Sequence, residues 1–300
     1  MEALHQILSF DFLLRNSVYT SMLIGFACPL VGVFLVLRRL VFVGVALPQI
    51  SSTGIAVSLS LPLWLGFQVT PQREHALVFI GSTLFSVVAI LVLAFLERRG
   101  RGLPEGRLGT VYVVAAAVSI LLLSKNRYAE LGWLDLLKGE VITISNFDLV
   151  LTAAALALVL AMLSLFRKEL LLVSYDRVFA ITLGKHVVLW DMLLYLLIGL
   201  TVSMAVLSVG PLIAFGFLLI PVLTAQTFAR NMRQLTIFAS LFGGAAAFVG
   251  FWLAYQWDFP VGPTDVALLG IVYSAVFITQ KIVGLARKSP RNTISEPKIS

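Results

Sequence analysis

The chain has 300 residues, 59% of them hydrophobic and 12% charged, with a formal net charge of +7 and a single cysteine, Cys28. A soluble domain averages about 25% charged residues, so a soluble globular enzyme is excluded as the class, and so is disorder, which needs low hydrophobicity and high charge. One cysteine excludes an internal disulfide framework and a cysteine-only metal cluster. What remains is an all-α polytopic membrane protein, because the apolar runs are long and unbroken where an outer-membrane barrel would alternate along short strands.

A helix needs about 20 mostly apolar residues to cross the hydrocarbon core. Nine segments qualify: 18–37, 41–66, 76–96, 108–124, 147–166, 189–208, 211–229, 235–256 and 264–284. Ahead of them, residues 3–14 form a short amphipathic segment with Leu4, Ile7, Leu8 and Phe12 on one face, suited to the interface. It has no basic n-region and no small-residue cleavage site, so a removable leader is not expected. The second segment is the least regular. Pro48 and the polar run Gln49, Ser51, Ser52 and Thr53 predict a broken or re-entrant helix, and non-helical backbone at that depth is tolerated only under protein or along a water-filled cavity. Segments 189–208 and 211–229 are parted only around Val209, Gly210 and Pro211, so they form either a tight hairpin or one kinked span. Residues 1–286 thus read as one transmembrane domain, followed at 287–300 by a polar, proline-containing tail expected to be disordered and cytoplasmic.

Lys and Arg placement sets the orientation. With nine crossings and the N-terminus outside, the cytoplasmic side holds 17 of the 22 Lys and Arg, and the outer side only Arg15, Arg73, Lys125, Arg127 and Lys138. The bias explains the basic character without a nucleic-acid partner. Asp191 and Asp265 fall near segment ends and read as solvated or interfacial charges. Without ionisable groups at depth, a proton-driven carrier is disfavoured. No P-loop, H-E-x-x-H, C-x-x-C or G-x-S-x-G is present, so ATP binding by the P-loop route is not expected of this chain, and an intramembrane metalloprotease is disfavoured.

Two constellations carry functional weight. The first runs Arg38-Arg39-x-x-Phe42-x-Gly44-x-Ala46-Leu47-Pro48-Gln49-Ile50-Ser51-Ser52-x-Gly54. Small residues let helices approach, and polar ones either bond across helices or line a path. The residues leave both readings open: helix packing around a proline, or a substrate route along Val45, Gln49, Ser51, Ser52 and Thr53. The second is Tyr175-Asp176-x-x-Phe179-Ala180-x-x-Leu183-Gly184. Asp176 is placed to cap a short helix and Gly184 to end it in the left-handed conformation. Phe179, Ala180 and Leu183 would share one apolar face, either packed on the protein's own surface or docked in a partner's groove. The run from Ser208 to Ala225, with Pro211 and Pro221, adds kinks, and Gly243-Gly244-Ala245-Ala246-Ala247 reads as a close-packing face.

These motifs together resemble those of the membrane-spanning permease subunits of ABC importers for manganese, zinc and iron, over about residues 17 to 284. The family's R-R-x-x-F-x-G-D-A-L-x-H pattern reads here Arg38-Arg39-Leu40-Val41-Phe42-Val43-Gly44-Val45-Ala46-Leu47-Pro48-Gln49, with Gly54 and Ala56 following. Its E-L-L-L block is Glu169-Leu170-Leu171-Leu172, continued by Asp176, Ala180, Leu183 and Gly184. Further matches are Val209-Gly210-Pro211-Leu212-Ile213, Leu218-Leu219-Ile220-Pro221 with Ala225, and Pro260-Val261-Gly262-Pro263-Thr264. The resemblance implies a type II importer-like permease of eight or nine transmembrane helices in a bacterial cytoplasmic membrane. It also implies a homodimer, two cytosolic ATPase subunits that carry the ATP and Mg, and an extracytoplasmic binding protein. Residues 175–184 would then be the coupling helix. The family's Asp and His in the second span are Val45 and Gln49 here. Valine cannot coordinate, and a neutral amide is a poor substitute for imidazole. No metal ligand is therefore assigned, and a non-metal solute, a metal chelate or an exporting direction stays open beside divalent metal import.

Overall fold

A computed structural model describes residues 14–66, 71–98, 105–124 and 144–288. Eleven helices run through the described residues: α1 (Arg15–Leu37), α2 (Val41–Leu65), α3 (Pro71–Arg98), α4 (Glu105–Leu123), α5 (Asn146–Leu165), α6 (Arg167–Tyr175), α7 (Arg177–Thr182), α8 (Val187–Val209), α9 (Pro211–Gln226), α10 (Met232–Trp257) and α11 (Val261–Lys288). Eight are long and apolar enough to cross a membrane, and α9 is a shorter apolar helix. Each of the nine expected segments has its helix. The amphipathic segment at 3–14 and the tail beyond Lys288 lie outside the described residues.

The second segment corrects the expectation of a break. α2 is one continuous helix of 25 residues with Pro48 and Pro62 inside it, about 37 Å long at the usual rise. The polar run does not open the helix because its side chains find partners, some within α2 and some on neighbouring helices. The Ser52 and Thr53 hydroxyls both donate to the carbonyl of Gln49, at 2.7 and 3.0 Å. Proline in a transmembrane helix is tolerated where Ser, Thr and neighbouring helices satisfy the backbone.

The choice between hairpin and kink is also settled. Gly210 has φ 87° and ψ 166°, a region open in practice only to glycine. Its N–H closes α8 on the carbonyl of Val206, and its carbonyl accepts from Ala214 to open α9. Pro211 takes the first helical position, where no donor is needed. Both outer ends of this pair return to one level. Asp191, in the first turns of α8, bonds Arg38 just past the end of α1. Past the end of α9, Ala229 and Met232 cluster with Val33, Val36 and Leu37 of α1. The chain therefore reverses at Gly210. α11 returns to that level too, since the Gln280 side-chain amide donates to the carbonyl of Thr227 at 2.8 Å.

α1, α2 and α8 form the centre, each with 67% of its span buried, while α3, α4, α5 and α11 form the rim at 17–22%. Rim side chains such as Ile80, Leu84, Val113, Leu121 and Ile271 stay exposed, as expected where lipid is as apolar as leucine. The centre instead depends on small residues. A Cβ on Gly25 of α1 would lie 2.8 Å from the carbonyl oxygen of Gly243 in α10, and one on Gly54 of α2 would lie 2.5 Å from that of Gly81 in α3. A Cβ on Gly32 would overlap the carbonyl oxygen of Leu218 in α9. Within the Gly243 to Ala247 run, Gly243, Gly244 and Ala247 thus pack closely on α1, while Ala245 is exposed.

Gly32→Ala forces α1 from α9 against backbone, which cannot rotate away as a side chain can. It is expected to cost about 1–3 kcal/mol, read as a lower thermal midpoint of the detergent-solubilised protein. An unchanged midpoint would show that the contact is loose.

Candidate functional site

Two regions converge at the level where α1 ends. The first is α7. The Asp176 carboxylate accepts from the Phe179 N–H at 2.8 Å, so it is the N-cap. The other end closes with Gly184 at φ +69°. The Gly184 N–H donates to Ile181 and the Lys185 N–H to Ala180, at 2.9 and 3.1 Å, the paired bonds of a Schellman cap. Both sequence-assigned caps are therefore in place.

The apolar face is not the one expected. Ala180 is fully buried, packed with Val173 and Val187 near Leu172 and Trp190. It anchors α7 to the bundle and does not share a presented face with Phe179 and Leu183. What α7 and its flanks present is Tyr175, Val178, Phe179, Ile181 and Leu183, all more than half exposed, with Tyr175 at 84% and Val178 at 72%. Val178 and Ile181 escaped the sequence reading. The signal was there: the smallest apolar residue in a six-residue helix fits against the body and leaves the bulky ones outward.

Beside α7 lies a cluster of charges. Arg38 Nη1 donates to Asp191 Oδ1 at 2.8 Å, and Arg177 Nη2 lies 3.3 Å from Asp191 Oδ2. Arg38 Nε donates to Ser174 Oγ at 3.0 Å, and its guanidinium carbon sits 5.3 Å from the centre of the Tyr195 ring. Asp191 is thus a buried, paired carboxylate, not the solvated end charge expected. Asp265 departs from expectation in the same way. It is 1% exposed, with Ser21 Oγ donating to Oδ2 at 3.4 Å, and it fits because Gly250 leaves room where a Cβ would overlap Oδ1. Both acids face protein because each lies on a helix flank turned inward, which position along the chain does not reveal.

The second region is α2. Val45 and Gln49 are half-buried and, four residues apart, share a helix face. The Gln49 amide donates to Ser52 Oγ at 3.1 Å, which places Ser52 with them. Ser51 and Thr53 point elsewhere. Ser51 Oγ meets Ser82 Oγ of α3 at 2.7 Å, and Ser82 continues to Ser203 of α8 at 2.9 Å. Thr53 Oγ1 reaches the Ala115 carbonyl and Ser119 Oγ of α4, both at 3.0 Å. Of the five residues, Val45 and Gln49 are thus half-buried on one face, Ser52 is buried and bonded to Gln49, and Ser51 and Thr53 bond across helices. Among the described residues, no three His, Cys, Asp or Glu side chains are grouped to hold a metal ion.

With this geometry in view, comparison with known proteins gives one family. Residues 9–280 match the model of the ABC 3 transport family. The chain belongs to that family. It is 25% identical over 281 residues to the manganese transport system membrane protein MntC of Listeria monocytogenes, covering 94% of this chain and 95% of that one. It is 28% identical over 254 residues to the zinc transport system membrane protein TroC of Treponema pallidum, covering 83% and 82%. Its fold matches a chain of PsaBC from Streptococcus pneumoniae, solved in complex with Fab, at a TM-score of 0.77 and 23% identity, over 92% of this chain and 94% of that one. This family member is a multi-pass membrane protein with the fold of ABC importer permeases, as the sequence motifs implied.

Asp176→Ala removes the N-cap of α7 and is expected to cost about 0.5–2 kcal/mol locally. Hydrogen exchange should speed up at Phe179 and Ala180 while α8 stays protected. Unchanged exchange at Phe179 would mean that the cap does not hold the helix.

Proposed function

We propose that this chain is the membrane permease subunit of an ATP-driven ABC importer for divalent metal ions, in the manganese, zinc and iron class. The observation that carries the proposal is α7: a doubly capped helix, six residues long, that stands off the bundle and shows bulky apolar side chains to whatever lies beyond it. Exposed apolar side chains on a rigid helix, at the end of the bundle away from Gly210, fit a groove in a partner protein. In this reading Tyr175, Val178, Phe179, Ile181 and Leu183 seat in a cytosolic ATPase subunit, with Asp176 and Gly184 fixing the helix and Ala180 tying it to the bundle. The Lys and Arg bias puts that end in the cytoplasm, along with the C-terminus.

Two copies of the chain would enclose the path, with one ATPase on each α7 and a binding protein delivering substrate from outside. ATP binds one conformation of the ATPase pair better than the other, and that differential affinity biases the permease between inward and outward openings. Hydrolysis then belongs to the partner chain, and no cofactor is needed in this one. Val45 and Gln49 would line the path as apolar and weak oxygen contacts. Such a path suits a permease whose binding protein performs the selection.

A second reading keeps the architecture and changes the cargo to a metal chelate or another small solute. It is favoured by one observation: the half-buried pair on α2 is Val45 and Gln49, and the Gln49 amide is engaged with Ser52.

Proteoliposomes holding the permease, its ATPase and its binding protein separate the two. ATP-dependent uptake of manganese, zinc or iron is expected, with Gln49→His slowing release and lowering turnover. Intact ATP hydrolysis with no uptake of any of the three would move the cargo to the second class. Phe179→Asp should abolish co-purification of the ATPase subunit while leaving the permease folded, and retention of the ATPase would remove α7 from the interface.

A further inference from the structure

We infer that Arg38, Asp191 and Arg177 form a charge joint that transmits displacement of α7 into α1 and α8, making these three the positioning residues of energy coupling. The inference rests on the proposed role of α7 as the ATPase-docking helix and assigns the path by which that helix acts on the bundle.

The geometry is specific. One carboxylate serves two arginines on two different elements, one on each oxygen. Asp191 Oδ1 takes Arg38, which lies immediately after α1, at 2.8 Å, and Oδ2 takes Arg177, the first residue of α7, at 3.3 Å. Asp191 itself belongs to α8, so a single side chain links α7 to two of the three central spans. Its two bonds differ in strength. The Arg38 and Asp191 side chains are 9% and 5% exposed, while Arg177 is 45% exposed. A buried pair is costly to break because a charge is left unpaired, whereas an exposed partner is screened and exchanges readily. The Arg38 bond is thus the fixed leg and the Arg177 bond the releasable one.

Arg38 is held from two further directions, by Ser174 Oγ of α6 and by the face of Tyr195 on α8. Its Nη2 is buried with no hydrogen-bond partner, so the joint carries an excess donor. Two guanidinium groups on one carboxylate make the arrangement sensitive to where Arg177 lies. Movement of α7 that withdraws Arg177 takes one partner from Asp191 and shifts its carboxylate toward Arg38, and movement that presses it in divides the carboxylate. The surrounding backbone makes Arg38 a stiff lever. The turn after α1 closes with the Arg39 N–H on Val36 and the Leu40 N–H on Leu35, and Arg39 takes φ 58°, a conformation that non-glycine residues adopt only under constraint.

The test uses the full transporter, with permease, ATPase and binding protein reconstituted in proteoliposomes, and reads the amount of manganese or zinc moved per ATP hydrolysed. Asp191→Asn is expected to assemble with the ATPase and hydrolyse ATP, but to move roughly 5- to 150-fold less metal per ATP, the range of ordinary coupling energies. Asp191→Glu, which restores the charge, should recover most of the ratio. A purely structural ion pair would instead lower assembly and leave the ratio of assembled complexes at the wild-type value, and that result overturns the inference. Should Asp191→Asn fail to assemble, Arg177→Gln decides. It leaves the buried pair intact, so the protein folds, and the ratio must still fall; a wild-type ratio sinks the joint. A wild-type chain that recruits no ATPase would overturn the permease reading itself, a failure visible before any variant is made.

Discussion

Close backbone contact along α1 is the constraint on which the rest of this structure depends. Inside a bilayer, apolar side chains gain little by leaving lipid for protein, so helices associate where their surfaces approach closely enough for dispersion and weak polar contacts to accumulate. α1 meets α10 at Gly25 and Gly243, and α9 at Gly32 and the Leu218 carbonyl. No side chain larger than hydrogen fits at these points. They fix α1 as the central pillar and hold the reversal at Gly210 against it. They also bring the end of α1, with Arg38, to the level of α7.

Polar groups follow the same economy. Many hydroxyls in the spans bond within their own helix, as with Thr201 on the Leu197 carbonyl and Thr224 on that of Ile220, or to one another across helices, as in the chain Ser51, Ser82, Ser203 and Thr83, while Ser17, Thr20 and Ser86 are buried without a partner. These bonds are neutral and short. Arg38, Asp191 and Arg177, by contrast, pair full charges at the end of the bundle that carries α7.

This division of labour bears on the cargo. Within the ABC 3 transport family, to which the chain belongs, the second span is where the sequence departs from the motif, at Val45 and Gln49. The structure keeps that pair on a half-buried face of an unbroken α2. Around α7 the sequence keeps the motif at Asp176, Ala180, Leu183 and Gly184, and both caps and the buried Ala180 are in place.

The sequence alone determined the membrane class, the nine apolar segments and their order, and both caps of α7. Each depends on local chemistry: runs of apolar residues, a capping carboxylate at Asp176 and a glycine at 184. Motifs spread over the chain also determined the family. Three things were left to tertiary structure. Whether Pro48 breaks α2 depended on partners for Gln49, Ser51 and Thr53, and these come partly from α3 and α4. Whether Gly210 turns the chain or merely bends it depended on where α8 and α9 meet α1. And whether Asp191, Asp265 and Ala180 face water or protein depended on helix rotation, which long-range packing sets. A local pattern states what a segment can form. Only its neighbours decide which face is covered, and in this protein that choice separates a solvated end charge from a buried ion pair.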